Sequence, residues 1–382
     1  TKSPASEILM AANAAAGSQG PWEVGKASQP LDQEFKARRL LFTGGAGFIG
    51  SNVLIYFVQK YPEVFFICLD NLSEGSNIAN LQPIHNSSNF LFVEGDILCG
   101  KTVRRLLAEH CVDTVMHFAA QTHVDRSFVA PLAFAEANVV GTAVLLEASR
   151  DHGVERFLHV STDEVYGENV GGGAFKESDP FRPANPYSAS KAAGECLVHG
   201  YVGSFGQKLP IVVVRPNNIY GPRQFPEKLI PKFIYRLQRQ QLLPLHGGGR
   251  ARRSFLFVED AAKAFDLVLR KGQPGEAYNI GAEPGSTKSV IEVAKALMPY
   301  FGIPADRAEK YLEVVADRVK NDSSYDVQSS KIENLGFRPT VPFQEGLRRT
   351  VEWYLQNPSH WKSVEEALLA DNGGFQQPRS SL

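Results

Sequence analysis

The 382-residue chain is short of three things: cysteine, net charge and long uninterrupted apolar sequence. Its four cysteines, Cys68, Cys99, Cys111 and Cys196, lie far apart and form neither a C-x-x-C pair nor a dense framework. That excludes a small disulfide scaffold and points to a reducing, cytoplasmic compartment with buried thiols. Lys and Arg number 40 against 41 Asp and Glu, a formal net charge of −1, so the basic excess of a nucleic-acid partner is missing. No apolar run approaches the roughly 20 residues of a membrane-spanning helix, so a soluble protein without a membrane partner is expected. The histidines have no metal-ligand spacing, and no metal site is expected.

With 43% hydrophobic and 21% charged residues, the composition is that of a globular protein with a substantial core. The length accommodates one dinucleotide-binding unit with a second lobe packed on it. Residues 1–37, rich in Ala, Ser, Gly and Pro, lack sustained periodicity and read as a flexible leader, with order beginning near Arg38. Residues 8–16 are apolar enough to resemble a signal-peptide core. Glu7 interrupts the flank and only Lys2 supplies a basic start, so cleavage targeting is not expected. The chain begins at Thr1 rather than Met, so a natural start upstream is expected.

From Arg38 onward, short apolar runs (40–42, 64–69, 90–93, 114–118, 156–160 and 210–214) alternate with segments of helical spacing (51–60, 102–110, 131–152 and 187–205). This alternation predicts an α/β fold, a Rossmann-type doubly wound parallel sheet covered on both faces. The expected division is a Rossmann domain over 38–216, then a smaller C-terminal substrate-binding lobe over 217–357, partly interleaved with it. A peripheral helix and flexible tail occupy 358–382. Within the lobe, helices are expected over 229–240, 258–269, 286–301 and 343–356, and a last amphipathic one over 360–369.

The first apolar run meets Thr43-Gly44-Gly45-Ala46-Gly47-Phe48-Ile49-Gly50. Gly45, Gly47 and Gly50 fit G-x-G-x-x-G; Gly44, Gly47 and Gly50 fit the wider G-x-x-G-x-x-G. Either way, glycine permits a tight turn and lets backbone N–H groups reach a pyrophosphate at the positive end of the following helix. Asp70 stands 20 residues after Gly50, at the end of the next strand. There its carboxylate accepts from an adenosine ribose and repels a 2′-phosphate, which favours NAD over NADP. The plainer reading of Asp70 is a loop acid that turns with Asn71. Asp96-Ile97, ending another run, either meets the adenine edge or forms an ordinary Asp turn.

Tyr187 and Lys191 stand four apart in a helical segment, so both lie on one face. A neighbouring ammonium lowers a tyrosine pKa from about 10 toward working pH and makes Tyr187 a general base for a sugar hydroxyl. Outside a dinucleotide fold the same spacing is ordinary helix decoration. The run 156–160 ends in Ser161-Thr162-Asp163-Glu164-Val165-Tyr166-Gly167, and ligands of open α/β sheets bind beyond the carboxyl ends of the strands. Hydride and proton transfer need no carboxylate pair. Elimination does: one carboxylate serves as base and another, kept protonated by its neighbour and by burial, as acid. A turn or helix-capping role for Asp163 and Glu164 is the competing reading.

The Gly44–Gly50 loop, the 161–167 segment, Tyr187-Ser188-Ala189-Ser190-Lys191 and Phe225-Pro226-Glu227-Lys228-Leu229-Ile230-Pro231 together resemble the dTDP-glucose 4,6-dehydratase family, over about 38–357. The Thr162-Asp163-Glu164 triplet is the specific element. The resemblance implies an NAD-dependent hydro-lyase that converts dTDP-glucose to dTDP-4-keto-6-deoxyglucose. In it Tyr187, assisted by Lys191, deprotonates the 4-hydroxyl while hydride passes to NAD. Glu164 takes the C5 proton, Asp163 protonates the departing 6-hydroxyl, and Thr162 bonds the 4-position. The cofactor falls to Gly44, Gly47, Phe48, Ile49, Gly50, Asp70, Asn71, Asp96, Ile97, Phe118, Ala119, Ala120 and Thr122, with Tyr187 and Lys191. The nucleotide-sugar falls to Thr122, His123, Thr162, Asn218, Lys228, Leu229, His246, Arg253, Asn279 and Arg318.

His123 also reads as an interior hydrogen-bonding residue, and Arg253 as a surface charge beside Arg250 and Arg252, although the register of the following 255–260 segment favours the diphosphate. Gln121, Ala137, Ile219 and Val319 depart from residues usual in bacterial members, and none is a proposed catalytic group. The resemblance implies a homodimer through helices near 131–152 and 187–205. Competing activities are 4,6-dehydration of UDP-glucose, nucleotide-sugar 4-epimerisation and non-catalytic NAD binding.

Overall fold

The computed structural model describes residues 34–169, 172–206, 208–283, 285–316, 326–362 and 364–369. Its strands are β1 (Arg39–Thr43), β2 (Phe65–Asp70), β3 (Phe90–Glu94), β4 (Thr114–His117), β5 (Arg156–Val160), β6 (Ile211–Pro216), β7 (Asn218–Tyr220), β8 (Leu243–His246), β9 (Arg252–Phe257), β10 (Ala277–Ile280), β11 (Thr287–Ser289) and β12 (Leu312–Val315). Seven of them form one sheet in the order β10-β6-β5-β4-β1-β2-β3, with every neighbouring pair parallel. The apolar runs are continuous rather than alternating because both faces of this sheet are covered. Leu40, Phe42, Phe66, Leu158 and Val212 enter the core on one face, beneath helices Phe48–Lys60 and Val258–Lys271. Leu41, Ile67, Val115, Phe157 and Val213 enter the other, beneath Gly100–Glu109, Gly141–His152 and Pro186–Phe205. Successive strand residues point to opposite faces, so one run feeds two cores.

The winding reverses between β1 and β4. The chain runs outward through β2 and β3, then returns to place β4 against the opposite edge of β1. The loops leaving these two strands diverge and open a crevice at their carboxyl ends. Above it, β9 joins β7 in parallel and β11 antiparallel, β8 pairs with β12, and Phe233, Leu245, Phe257, Leu297, Leu347 and Tyr354 form a separate core. Although β10 and the Val258–Lys271 helix come from the 217–357 segment, they complete the large sheet and its cover.

Several sequence expectations need correction. Order does not wait for Arg38: Phe35 is buried, its N–H donates to the Arg270 carbonyl at 2.9 Å, and the Arg156 guanidinium lies 4.9 Å from its ring. Residues 1–33 of the leader and 370–382 of the tail lie outside the described residues. The expected 286–301 helix is three elements. Thr287–Ser289 pairs with β9, Ser289 and Glu292 then form a reciprocal capping box that starts the Val290–Leu297 helix, and a 3₁₀ turn follows over Met298–Phe301. The last helix is Val364–Leu369, and His360 is instead hydrogen-bonded to Asn80 at 2.7 Å. The expectation that no apolar run is long enough for a membrane also fails. By length and composition the 22-residue helical stretch Pro131–His152 is sufficient, and here Leu145 and Leu146 pack it into the sheet's core.

At the reversal Gly44 has φ +74°, and a Cβ there would fall 2.5 Å from the Ala119 backbone nitrogen. Gly44→Ala must both adopt the left-handed region and push two loops apart, so it should lower unfolding free energy by at least about 2 kcal/mol. Urea denaturation followed by circular dichroism tests this; an unchanged midpoint would mean that the loops separate freely.

Candidate active site

A cavity of about 630 Å³ occupies the crevice. Its first wall is the turn between β1 and the Phe48–Lys60 helix, with Gly44, Gly47, Phe48, Ile49 and Gly50 lining it. An added Cβ on Gly50 would meet the Gly44 carbonyl oxygen at 2.1 Å, whereas at Gly47 the nearest atoms are 3.4 and 3.9 Å away. Gly50 therefore closes the turn, and Gly47 leaves room in the cleft. The tertiary contacts also choose between the two glycine spacings. A Cβ on Gly45 would strike Cys68 Sγ at 2.5 Å, so that glycine serves packing, and Gly44 is the one facing the cavity. The helix has no acidic residue in its first turn and no side-chain cap, which leaves its positive end for an anion.

Asp70 closes the far end of this wall. It is 4% exposed, with Oδ2 accepting from the Ala46 N–H and Oδ1 from the Leu72 N–H, both at 2.9 Å. A carboxylate has about four acceptor sites, so these bonds aim the group without exhausting it. Asp96 accepts from the Leu98 N–H at 2.8 Å and from Asn71 Nδ2 at 2.9 Å, which makes it a turn residue and a wall of the cleft at once. Ile97 lies beside it. Phe118, Ala119, Ala120 and Thr122, on the loop leaving β4, form the opposite wall.

The next strand supplies the chemistry. Beyond β5, Thr162 caps a single 3₁₀ turn, Asp163–Tyr166, by accepting from the Glu164 N–H. Facing it, Asn185 and Ser188 cap the Pro186–Phe205 helix reciprocally and place Tyr187 and Lys191 in the cleft lining. Asp163 Oδ2 accepts from Asn217 Nδ2 at 2.9 Å, Asp163 Oδ1 accepts from the Thr162 hydroxyl at 3.2 Å, and Asn185 Nδ2 is 3.5 Å from Glu164 Oε2. Lys191 Nζ donates to the Val160 carbonyl at 2.7 Å.

Asn218, Lys228, Leu229, His246 and Arg253 line the side nearer the small lobe. Lys228 Nζ donates to the Thr122 carbonyl at 3.0 Å and so ties the two walls. His123 also lines the cleft, 3.1 Å from a Glu227 carboxylate oxygen. Asn279 is a correction. It is buried outside the cleft, with Oδ1 accepting from the Tyr166 hydroxyl at 2.7 Å and Nδ2 donating to the Phe175 carbonyl at 3.1 Å. Its polar atoms are already spent on the fold. Arg318 and Val319 lie outside the described residues. Sequence reasoning missed Asn185, Asn217 and Glu227. The first was legible as a helix cap and the third stands inside the 225–231 segment; Asn217 carries no local signal. Among the described residues no cluster of three or more His, Cys, Asp or Glu side chains could hold a metal ion.

A family model described as GDP-mannose 4,6 dehydratase matches residues 41–350. The chain belongs to this nucleotide-sugar dehydratase family. The dTDP-D-glucose 4,6-dehydratase of Mus musculus is 46% identical over 87% of this chain and 93% of its own length. A trifunctional UDP-glucose 4,6-dehydratase of Arabidopsis thaliana is also 46% identical, over 88% of this chain and 50% of that protein. Among solved structures, the Streptomyces venezuelae dTDP-glucose 4,6-dehydratase with NAD and TDP bound superposes with a TM-score of 0.79. It is 40% identical and covers 85% of this chain and 99% of that one.

Burial decides the protonation of this dehydratase-family site. It pushes the Asp163 carboxyl up to about 7, and the charge of Glu164 adds to the effect, against the bonds from Asn217 and Thr162. It lowers the Lys191 ammonium to about 8, with Glu195 opposing. The expected lowering of Tyr187 by Lys191 is overturned in this cleft. Burial first, then the Glu164 charge, hold the phenol well above its ordinary value, and a hydrogen bond with Thr162 only partly offsets them. The Lys191 ammonium is directed at a β5 carbonyl.

The unfolded chain loses the Asp163 proton near 3.8, while the native protein keeps it to about 7. This group therefore makes wild-type stability fall as pH rises through that window. Asp163→Asn, neutral throughout, should gain in melting temperature relative to wild type between about pH 4 and about pH 7 and hold that gain above it. Parallel melting profiles would mean that Asp163 is charged in the native state.

Proposed function

We propose that this protein is an NAD-dependent dTDP-glucose 4,6-dehydratase that forms dTDP-4-keto-6-deoxyglucose and water. The observation that carries this reading is the buried Asp163 beside Glu164, on one turn, facing the helix of Tyr187 and Lys191. A reductase or epimerase has no use for a carboxyl that keeps its proton near neutral pH next to a second carboxylate; an elimination needs both. The cofactor fits the first wall: the pyrophosphate at Gly44, Gly47 and the uncapped helix end, the ribose at Asp70, whose charge disfavours a 2′-phosphate.

When bound, NAD supplies a reversible two-electron acceptor and a positive ring whose charge favours the Tyr187 phenolate. Tyr187 receives the 4-hydroxyl proton as C4 is oxidised, and the 4-ketone acidifies C5–H. Glu164 removes that proton while Asp163 delivers its own to the departing 6-hydroxyl, so the C6–O bond breaks and water leaves. Glu164 then returns its proton to C5 as the neighbouring C6 regains the hydride lost from C4, which leaves a 4-ketone and a 6-methyl group. At this point Tyr187 has gained one proton and Asp163 has lost one. Thr162, which donates to Asp163 and lies beside Tyr187, connects donor to acceptor for the reset. Arg253 serves the substrate diphosphate, whose charge and geometry suit a forked donor, and Lys228 adds a point charge on the same side of the cleft.

UDP-glucose is the second reading, favoured by the equal identity to the Arabidopsis relative. One methyl contact on the base is worth only about 1–3 kcal/mol. We further infer a cytoplasmic homodimer. Only Cys68 is buried as expected; Cys99, Cys111 and Cys196 are exposed, and all four are free thiols, which suits a reducing compartment. Leu132 and Val140 are exposed by 77% and 50% on the 131–152 stretch that the family resemblance assigns to the dimer contact. Leu132→Glu should shift the light-scattering mass from dimer to monomer.

Mass spectrometry of protein incubated with dTDP-glucose or UDP-glucose tests the main reading. Loss of one water is expected, greater for the thymidine substrate, and Glu164→Gln should slow it at least about 100-fold. Unchanged substrate mass, or full turnover by that variant, would rule dehydration out.

A further inference from the structure

Behind the catalytic turn lies a buried polar network that the reaction scheme does not use. Arg215, on β6, is the largest fully buried side chain among the described residues. Its Nε and Nη2 donate to Glu195 Oε1 at 2.9 and 2.6 Å, and its Nη1 donates to the Tyr166 hydroxyl and to the Glu177 carbonyl. The guanidinium also lies over the Tyr166 and Phe181 rings, at 5.0 and 4.9 Å from their centres. Tyr166 ends the 3₁₀ turn that begins with Asp163, and its hydroxyl donates onward to Asn279. Glu195 stands one helical turn past Lys191 and two past Tyr187. One guanidinium thus touches both elements of the catalytic pair.

Resting on the dehydratase reading above, we propose that Arg215 is a positioning residue: it sets the turn of Asp163 and Glu164 against the helix of Tyr187 and Lys191. Elimination requires both carboxyls to reach C5 and C6 of a sugar already held at C4 by Tyr187. A shift of either element by a fraction of an ångström separates the two half-reactions. Arginine is required because a planar fork serves three acceptors at once, which an ammonium on a flexible stem does not. The buried pair with Glu195 is a poor source of net stability, and positioning accounts for its presence.

Removing Arg215 strands a buried Glu195 and can unfold the chain, so the principal variant is Tyr166→Phe. It deletes one hydroxyl and keeps the ring stacked on Phe175 at 5.1 Å. In the NAD-loaded enzyme with dTDP-glucose, kcat should fall about 10- to 100-fold, while KM moves less than about 2-fold. Reduced-cofactor absorbance should accumulate during turnover, because oxidation at C4 continues while elimination lags. Arg215→Lys should show the same accumulation, without rescue. Tyr61→Phe, which removes a hydroxyl bonded to Asp266 outside the cleft lining, should match wild type. Wild-type kcat in Tyr166→Phe, or a loss of rate without reduced cofactor, would overturn the positioning role. If wild type itself releases no water from dTDP-glucose, the dehydratase reading fails, and this role with it.

Discussion

Gly44 and Ala119 touch where two loops leave adjacent parallel strands, and the geometry of the cleft depends on that close approach. The chain places β4 against β1 only after running out through β2 and β3, so their loops part in opposite directions. Because an added Cβ on Gly44 would lie 2.5 Å from the Ala119 nitrogen, the two cofactor walls share one backbone contact. Phe42 carries the contact into the core by stacking on Phe118 at 4.6 Å. The Asp163–Tyr166 turn follows the next strand over, β5, so it comes up directly beside the second wall.

Burial is the second organising force. In a poorly solvated floor an ionisable group must be paired or give up its charge. Arg215 and Glu195 are paired. Asp163 holds its proton up to about 7, and Lys191 holds its own more weakly than usual. His117, pushed down to about 3, sits between the Thr43 and Thr142 hydroxyls at 2.8 and 3.0 Å as a neutral ring. Desolvation acts in opposite directions on acids and bases, so one apolar surrounding yields both a carboxylic acid and a readily deprotonated ammonium near neutral pH.

Much of this was legible from local pattern. The alternation of apolar runs with helical spacing located the strands of the large sheet up to β6, and the 343–356 helix falls where its periodicity placed it. The glycine loop, Asp70, the 162–164 triplet and the Tyr187/Lys191 pair all line a single cavity. What stayed hidden depended on partners distant in sequence. Asn279 looked like a substrate contact, but Tyr166 and Phe175, more than a hundred positions away, consume its polar atoms. Asn217 bonds Asp163 across 54 positions, and no spacing in the chain announces that. The residues at 287–289 continue the helical pattern that follows them, and only pairing with β9 makes them a strand.

The chain by itself determined which residue types could carry the chemistry and on what kind of element each would stand. Period and glycine placement are local, and local sterics act through bonded neighbours. Only the tertiary structure decided the protonation states, the choice between Gly44 and Gly45, and the meeting of turn and helix at Arg215. Those depend on solvent exclusion and on distances between segments that the chain brings together only when the sheet closes.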